Sequence, residues 1–287
     1  MKTRVLVTGG SGQLGQSIQS IALQQSSLEF LFCDKNMLDI TNSEHVLSFF
    51  KTNKIDWCIN CAAYTNVDKA EVNQDQAYQI NVLGAKNIAK ACQVYNVKLI
   101  HISTDFVFDG QSNKPYTETD ITNPINTYGR TKLQGEAEIA SIFDNFFIIR
   151  TSWLYSEFGH NFMKTMLRLS SEKELIRVVD DQIGTPTYAG DIAEALIKLI
   201  LDDTSNYGIF HFANHGEVSW FEFAKAIFEQ THSSVILEPI FSRDYITLAK
   251  RPAYSVLDTS KASEEMDIAI PFWKDSLSKA IQNFEDS

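Results

Sequence analysis

Tyr128 and Lys132 lie one helical turn apart in Tyr128-Gly129-Arg130-Thr131-Lys132. A helix there puts a phenol and an ammonium on one face. A cation beside a phenol favours the phenolate, so the Tyr128 hydroxyl is expected below its usual value, toward a range useful in proton transfer. Upstream, Thr104 follows the apolar run Ile100-His101-Ile102-Ser103, which reads as a core strand. Ligands of open α/β sheets sit at such strand ends, where the Thr104 hydroxyl can bond the same oxygen as Tyr128. Thr104, Tyr128 and Lys132 are therefore the candidate catalytic groups. The plainer alternative is a surface packing pair and a helix cap.

A second site type lies near the start. Thr8-Gly9-Gly10-Ser11-Gly12-Gln13-Leu14-Gly15 follows a strand-like run and opens an amphipathic stretch. Gly9, Gly12 and Gly15 fit one phosphate-loop spacing, and Gly10, Gly12 and Gly15 fit another. Such glycines allow a tight turn and a close backbone approach to a diphosphate, which the free N–H groups of the next helix can bind. Gly9, Gly12, Gln13, Leu14 and Gly15 are thus candidate dinucleotide contacts. Asp34 ends the second strand, where a ribose 2′-hydroxyl is gripped, while Lys35 beside it suits a 2′-phosphate. Asp39 and Ile40 are placed to flank the adenine. NADPH and NADH both stay open, with NADPH slightly favoured.

The elements that must position these groups alternate. Strands are expected at Arg4–Val7, Glu29–Cys33, Asp56–Cys61, Lys98–Ser103 and Phe146–Arg150, with helices at Gln13–Gln25, Ser43–Thr52, Gln74–Tyr95 and Thr127–Phe143. That order predicts an α/β fold: a Rossmann-type, doubly wound parallel sheet with a smaller C-terminal substrate-binding lobe. Further helices are expected at Asn161–Ser170, Gly190–Asp202 and Ser219–Gln230, and strands at Ile176–Val179 and Ile209–Phe212. The stretch from Glu238 to Asp258 reads as loops over a cleft. Residues 1–150 form the expected dinucleotide-binding unit, completed by about 176–205, and 151–287 form mainly the lobe.

Composition narrows the partners. The 287 residues carry 25 basic and 36 acidic side chains, net charge −11, which repels nucleic acid and anionic membranes. No segment reaches the roughly 18 apolar residues of a membrane span, and the N-terminus lacks a signal-peptide layout. A soluble, cytoplasmic chain is expected. Cys58 and Cys61 fall on opposite faces of a strand, so they should not meet. His211 and His215 lack a third partner for zinc, and no metal site is expected. Trp220 and Phe223 have the helical spacing of core residues.

These motifs together resemble the extended short-chain dehydrogenase/reductases. The match includes the glycine loop, Asn60-Cys61-Ala62-Ala63, Asn81, Ser103-Thr104-Asp105, and Pro124 through Lys132. Within that family the chain is similar to reductases of dTDP-linked keto sugars. That likeness rests on Ala62–Glu71, Arg150–Tyr155, Gly159–Met166, Asp181–Thr187 and Arg251–Ser255.

The resemblance implies reduction of the C4 ketone of dTDP-4-dehydro-L-rhamnose, the last step of dTDP-L-rhamnose synthesis, with hydride from the nicotinamide. Tyr128 gives the proton, Lys132 holds the nicotinamide ribose, and Thr104 bonds the reacting oxygen. Ala62, Ala63, Tyr64 and Thr65 line the cofactor. Thr104, Asp105, Trp153, Asn161 and Arg251 contact substrate, Arg251 at the diphosphate.

Some bacterial members form a dimer bridged by Mg²⁺ through glutamates, one just after the glycine loop. Here that stretch is Gln16-Ser17. A metal bridge is not expected, and monomer or homodimer stays open. The alternatives are another nucleotide-sugar reductase or epimerase of the family, and a dinucleotide-binding regulatory subunit without catalysis.

Overall fold

The computed structural model describes residues 2–286. Val5, Leu6 and Val7 are all fully buried, with Val5 and Val7 in one core and Leu6 in another. A strand buried on both faces belongs inside a helix-covered parallel sheet. This one is β1 (Thr3–Thr8), paired in parallel with β2 (Leu28–Cys33) and β3 (Trp57–Asn60). Helices α1 (Gln13–Ala22) and α2 (Ser43–Asn53) follow the first two strands. Cys58 packs into one core and Cys61 against the other, as the strand period requires.

After β3 come α3 (Val67–Val72) and α4 (Gln74–Tyr78), then a π-helical segment, Gln79–Gly84, and α5 (Ala85–Tyr95). The single helix expected over Gln74–Tyr95 is thus interrupted by a π turn, a device often found at functional sites. β4 (Lys98–Thr104), α6 (Thr127–Ile142) and β5 (Phe146–Thr151) continue the alternation. Next are β6 (Leu154–Tyr155), α7 (Phe162–Glu172), β7 (Leu175–Val179), β8 (Ile183–Gly184), β9 (Thr187–Tyr188), α8 (Ala189–Asp202) and β10 (Gly208–His211).

The central sheet has the order β10-β5-β4-β3-β1-β2 and all of its pairings are parallel. The chain leaves β1 in one direction to β2 and in the other through β3, which creates the crevice where ligands of doubly wound sheets bind.

The rest of the chain is β11 (Val218–Ser219), α9 (Trp220–Gln230), β12 (Ile236–Ile240), α10 (Ser260–Glu265) and α11 (Trp273–Glu285). Two placements differ from expectation. β7 lies outside the central sheet and pairs with β12; within 176–205 it is α8 that packs on the sheet, whose last strand, β10, follows at Gly208–His211. The stretch expected as loops from Glu238 therefore opens as the end of a strand. α11, not foreseen, buries Trp273, Leu277, Ala280 and Ile281 in the lobe core beside Phe223 and Tyr155. That spacing is helical. Among the described residues no helix is long and apolar enough to cross a membrane.

Candidate active site

Thr104 ends β4, and α6 starts beside it. Asn126 caps that start by accepting from the Gly129 amide at 2.8 Å, while its own Nδ2 donates to the Lys250 carbonyl at 2.9 Å. A Cβ on Gly129 would lie 2.1 Å from the Phe106 carbonyl oxygen. Glycine there lets α6 lie against the turn after β4, which sets Tyr128 edge-on to Phe106 and within a hydrogen bond of Thr104.

The electrostatics depart from expectation. Burial pushes the Tyr128 phenol up to about 12; the Thr104 hydrogen bond opposes this and the Asp105 charge adds to it. Lys132 Nζ donates to the Ile102 carbonyl at 2.6 Å and lies 3.2 Å from His101 Nε2. Burial also brings Lys132 down to about 8, against the pull of Glu136 and Cys61. Asp105 is buried and pushed up to about 7, although Ser255 and Thr104 hydrogen-bond to it; Thr104 Oγ1 donates to its Oδ1 at 2.9 Å.

These groups form one wall of a cavity of about 740 Å³ that runs to the glycine loop. Gly9 has φ of 66° and sits so close to the end of β3 that a Cβ would be 2.8 Å from the Ala62 amide. The turn needs the left-handed backbone and the missing side chain together. α1 begins at Gly12 with no side-chain cap and no acidic residue in its first turn. Its first amides are thus free for an anion. Gly9, Gly12, Gln13, Leu14, Gly15, Ala62, Ala63 and Thr65 line the cavity.

Lys35, Asp39 and Ile40 also line it. Asp39 accepts from the Thr41 hydroxyl at 2.7 Å and the Thr41 amide at 2.9 Å. These bonds, the hydroxyl's first, hold its carboxyl below the usual range. Two expected cofactor contacts sit elsewhere. Asp34 is not on the wall: its Oδ1 accepts from the Asn36 and Met37 amides, both at 2.9 Å. Tyr64 is off it as well, its backbone tied on both sides by Asn81 and its hydroxyl accepting from Asn73.

At the other end, Trp153 has φ of 44° and stacks on Trp220 with ring centroids 3.5 Å apart. Both indoles line the cavity. Helical spacing alone put Trp220 in the core; it does pack on Phe162 and Phe223, with an edge left on the wall.

Asn161 and Arg251 reach the wall too, but both are engaged. Asn161 caps α7, accepting from Lys164, and its Nδ2 bonds Gln13 Oε1 and the Ser156 and Phe158 carbonyls. Arg251 pairs with Asp68 at 2.6 Å.

Sequence reasoning missed the buried support. Ser103 and Arg150 both bond Glu136, the Arg150 ion pair at 2.7 Å with both partners buried. Glu136 stands one turn beyond Lys132, which was the available clue. His211 is buried, brought down to about 3 mainly by that burial, and bonded to the Tyr116 carbonyl. No group of three or more metal-ligating side chains occurs among the described residues.

The family model described as RmlD substrate binding domain matches residues 3–286. A dTDP-4-dehydrorhamnose reductase of Aggregatibacter actinomycetemcomitans is 43 % identical over 284 residues, covering 96 % of this chain and 97 % of that one. The chain belongs to the dTDP-4-dehydrorhamnose reductase family.

The crystal structure of the Bacillus anthracis dTDP-4-dehydrorhamnose reductase in complex with NADP superposes with a TM-score of 0.95 at 42 % identity, over 99 % of this chain and 100 % of that one. A dTDP-4-keto-6-deoxy-D-glucose reductase of Streptomyces niveus is 35 % identical over 98 % of this chain and 97 % of its own. The family's fold extends further: a Thermus thermophilus UDP-glucose 4-epimerase has a TM-score of 0.82 at 20 % identity.

Proposed function

We propose that the protein reduces the C4 ketone of dTDP-4-dehydro-L-rhamnose to dTDP-L-rhamnose, in the cytoplasm, as the last step in supplying that sugar nucleotide for cell-surface polysaccharide. The observation that carries this reading is one continuous cavity. Thr104, Tyr128 and Lys132 lie on its wall, and the uncapped start of α1 opens into it.

A reduced nicotinamide dinucleotide, when bound, supplies the hydride for the carbonyl carbon. The amides of Gln13, Leu14 and Gly15 fit its diphosphate, and Lys132 is placed for the nicotinamide ribose. Tyr128 donates its proton to the carbonyl oxygen as that oxygen becomes an alkoxide, so one hydride and one proton convert the ketone to the alcohol. A phenol pushed up to about 12 starts protonated at neutral pH, as a donor must. Thr104 bonds the same oxygen.

The Trp153–Trp220 stack offers an aromatic face to a sugar or base ring. Arg251 suits the substrate diphosphate once Asp68 gives way, and Asn161 acts through Gln13 rather than on substrate. Residues 151–287 form most of the sugar-nucleotide lobe. Lys35 on the wall, with Asp34 held in its turn, favours a 2′-phosphate and hence NADPH.

Consumption of NADPH and of NADH with dTDP-4-dehydro-L-rhamnose tests the reading, with the product compared against dTDP-L-rhamnose and its C4 epimer. Tyr128→Phe should lose about 100-fold or more in kcat. Tight dinucleotide binding without oxidation by the wild type would sink the assignment.

A further inference from the structure

We propose that His101 is a positioning residue that presents an N–H to Lys132 Nζ, locked in that tautomer by a one-way hydrogen-bond chain through Thr8 and Asn60. Its consequence for turnover rests on the reductase reading; the tautomer itself does not.

The chain crosses three neighbouring strands, from the last residues of β1 and β3 to the middle of β4. The Ala62 amide donates to Thr8 Oγ1 at 3.4 Å, and Thr8 Oγ1 donates to Asn60 Oδ1 at 2.6 Å. Asn60 Nδ2 lies 3.0 Å from His101 Nδ1, and His101 Nε2 lies 3.2 Å from Lys132 Nζ. Thr8, Asn60 and His101 are each 1 % exposed and Lys132 is 2 % exposed, so bulk solvent does not complete any broken link.

Donor and acceptor accounting fixes the direction. A backbone amide only donates, so the Thr8 oxygen accepts from Ala62 and its own proton goes on to the Asn60 oxygen. That turns the Asn60 amino group toward His101, and an amino group only donates, so Nδ1 carries a lone pair. Burial holds the imidazole neutral, well below its ordinary value. The ring proton is therefore on Nε2, facing Nζ. Flipping the Asn60 amide would aim two N–H groups at Thr8 Oγ1 and leave the Thr8 proton without its partner in the interior, which is costly.

An N–H aimed at Nζ asks for a lone pair, which an amine has and an ammonium lacks. The chain thus tips Lys132 toward the amine and reinforces burial, which already brings it down to about 8. The opposing groups are Glu136 from the lysine's own helix and Cys61 from beyond β3. Glu136 is itself shared with Arg150 from β5 and Ser103 from β4. Lys132 is left poised between its two states near neutral pH.

Two substitutions test this. Thr8→Val is isosteric and removes the link that orients Asn60. His101→Gln can turn a carbonyl oxygen to Nζ in place of the N–H. Long-range ¹H–¹⁵N NMR of the histidine rings, with His101 assigned by its loss in His101→Gln, should show the Nε2–H form in the wild type and both tautomers in Thr8→Val.

In both variants the basic limb of kcat/KM against pH should move up by about half a unit to one unit, because Nε2 or the glutamine oxygen can then accept from the ammonium. A wild-type Nδ1–H tautomer overturns the proposal. So does a limb that stays in place or moves down in either variant that retains the wild-type melting temperature. The ring spectrum decides the tautomer even if the protein turns over no keto sugar, so failure of the reductase reading is told apart from failure of this one.

Discussion

Burial drives Tyr128 and Lys132 toward the same condition, an uncharged pair: the phenol rises to about 12 and the amine falls to about 8. The sign for activity follows. The Lys132 ammonium is present below about pH 8 and lost above it, while Tyr128 stays protonated throughout that range. If Lys132 must be charged to hold the ribose, kcat/KM falls as pH rises through about 8. Asp105 ionises just below, near about 7. An Asp105→Asn pH profile should therefore keep the limb near 8 and lose any inflection near 7. A limb near 8 that vanishes with Asp105 would assign it to the carboxylate instead.

At this scale the placing of Thr104, Tyr128 and Lys132 on one cavity wall was legible in the sequence, but their charge states were not. The Tyr-x-x-x-Lys spacing reports a shared helix face and says nothing of the carbonyl and imidazole that bond Nζ, or of the burial that shifts both groups. The turn at Asp34 was not legible for a similar reason, since the two amides that engage its Oδ1 belong to its own neighbours Asn36 and Met37.

At the scale of elements, the register between β4 and α6 makes the site. Gly129 is the point of contact, and Gly129→Ala would force a methyl into the Phe106 carbonyl. Overpacking of that kind costs about 1–3 kcal/mol. The expected result is a lower denaturation midpoint together with a loss of turnover larger than the loss of dinucleotide binding, because the α1 end is untouched. Equal loss of both, read by calorimetry and steady-state rates, would argue against a local displacement of α6.

The alternation of strands and helices through Arg150 was legible because its strands are short, mostly apolar runs, with β1, β3, β4 and β5 largely buried and only the edge strand β2 half-exposed. The π turn at Gln79–Gly84 was not. It carries tertiary contacts that no local pattern reports: Asn81 holds the Tyr64 backbone on one side and Thr131 of α6 on the other. The small strands β7 and β12 escaped assignment to their own sheet, since apolar alternation gives a strand without naming its partner.

Across the whole molecule, the sheet unit and the lobe share a single cavity wall. The glycine loop, the segment after β3 and the end of β4 line one end, while Trp153, Trp220 and Arg251 line the other. The lobe's contribution was only partly readable, as its residues come from separate segments and its core includes α11 at the far end of the chain.

A fold shared with a UDP-glucose 4-epimerase cannot itself distinguish net reduction from hydride return. The direct measurement is turnover of dTDP-4-dehydro-L-rhamnose with nicotinamide dinucleotide deuterated on its transferable position. The expected product bears one deuterium at C4 and forms in step with oxidised dinucleotide. A sugar nucleotide isomerised without deuterium, and with no net oxidation, would contradict net reduction.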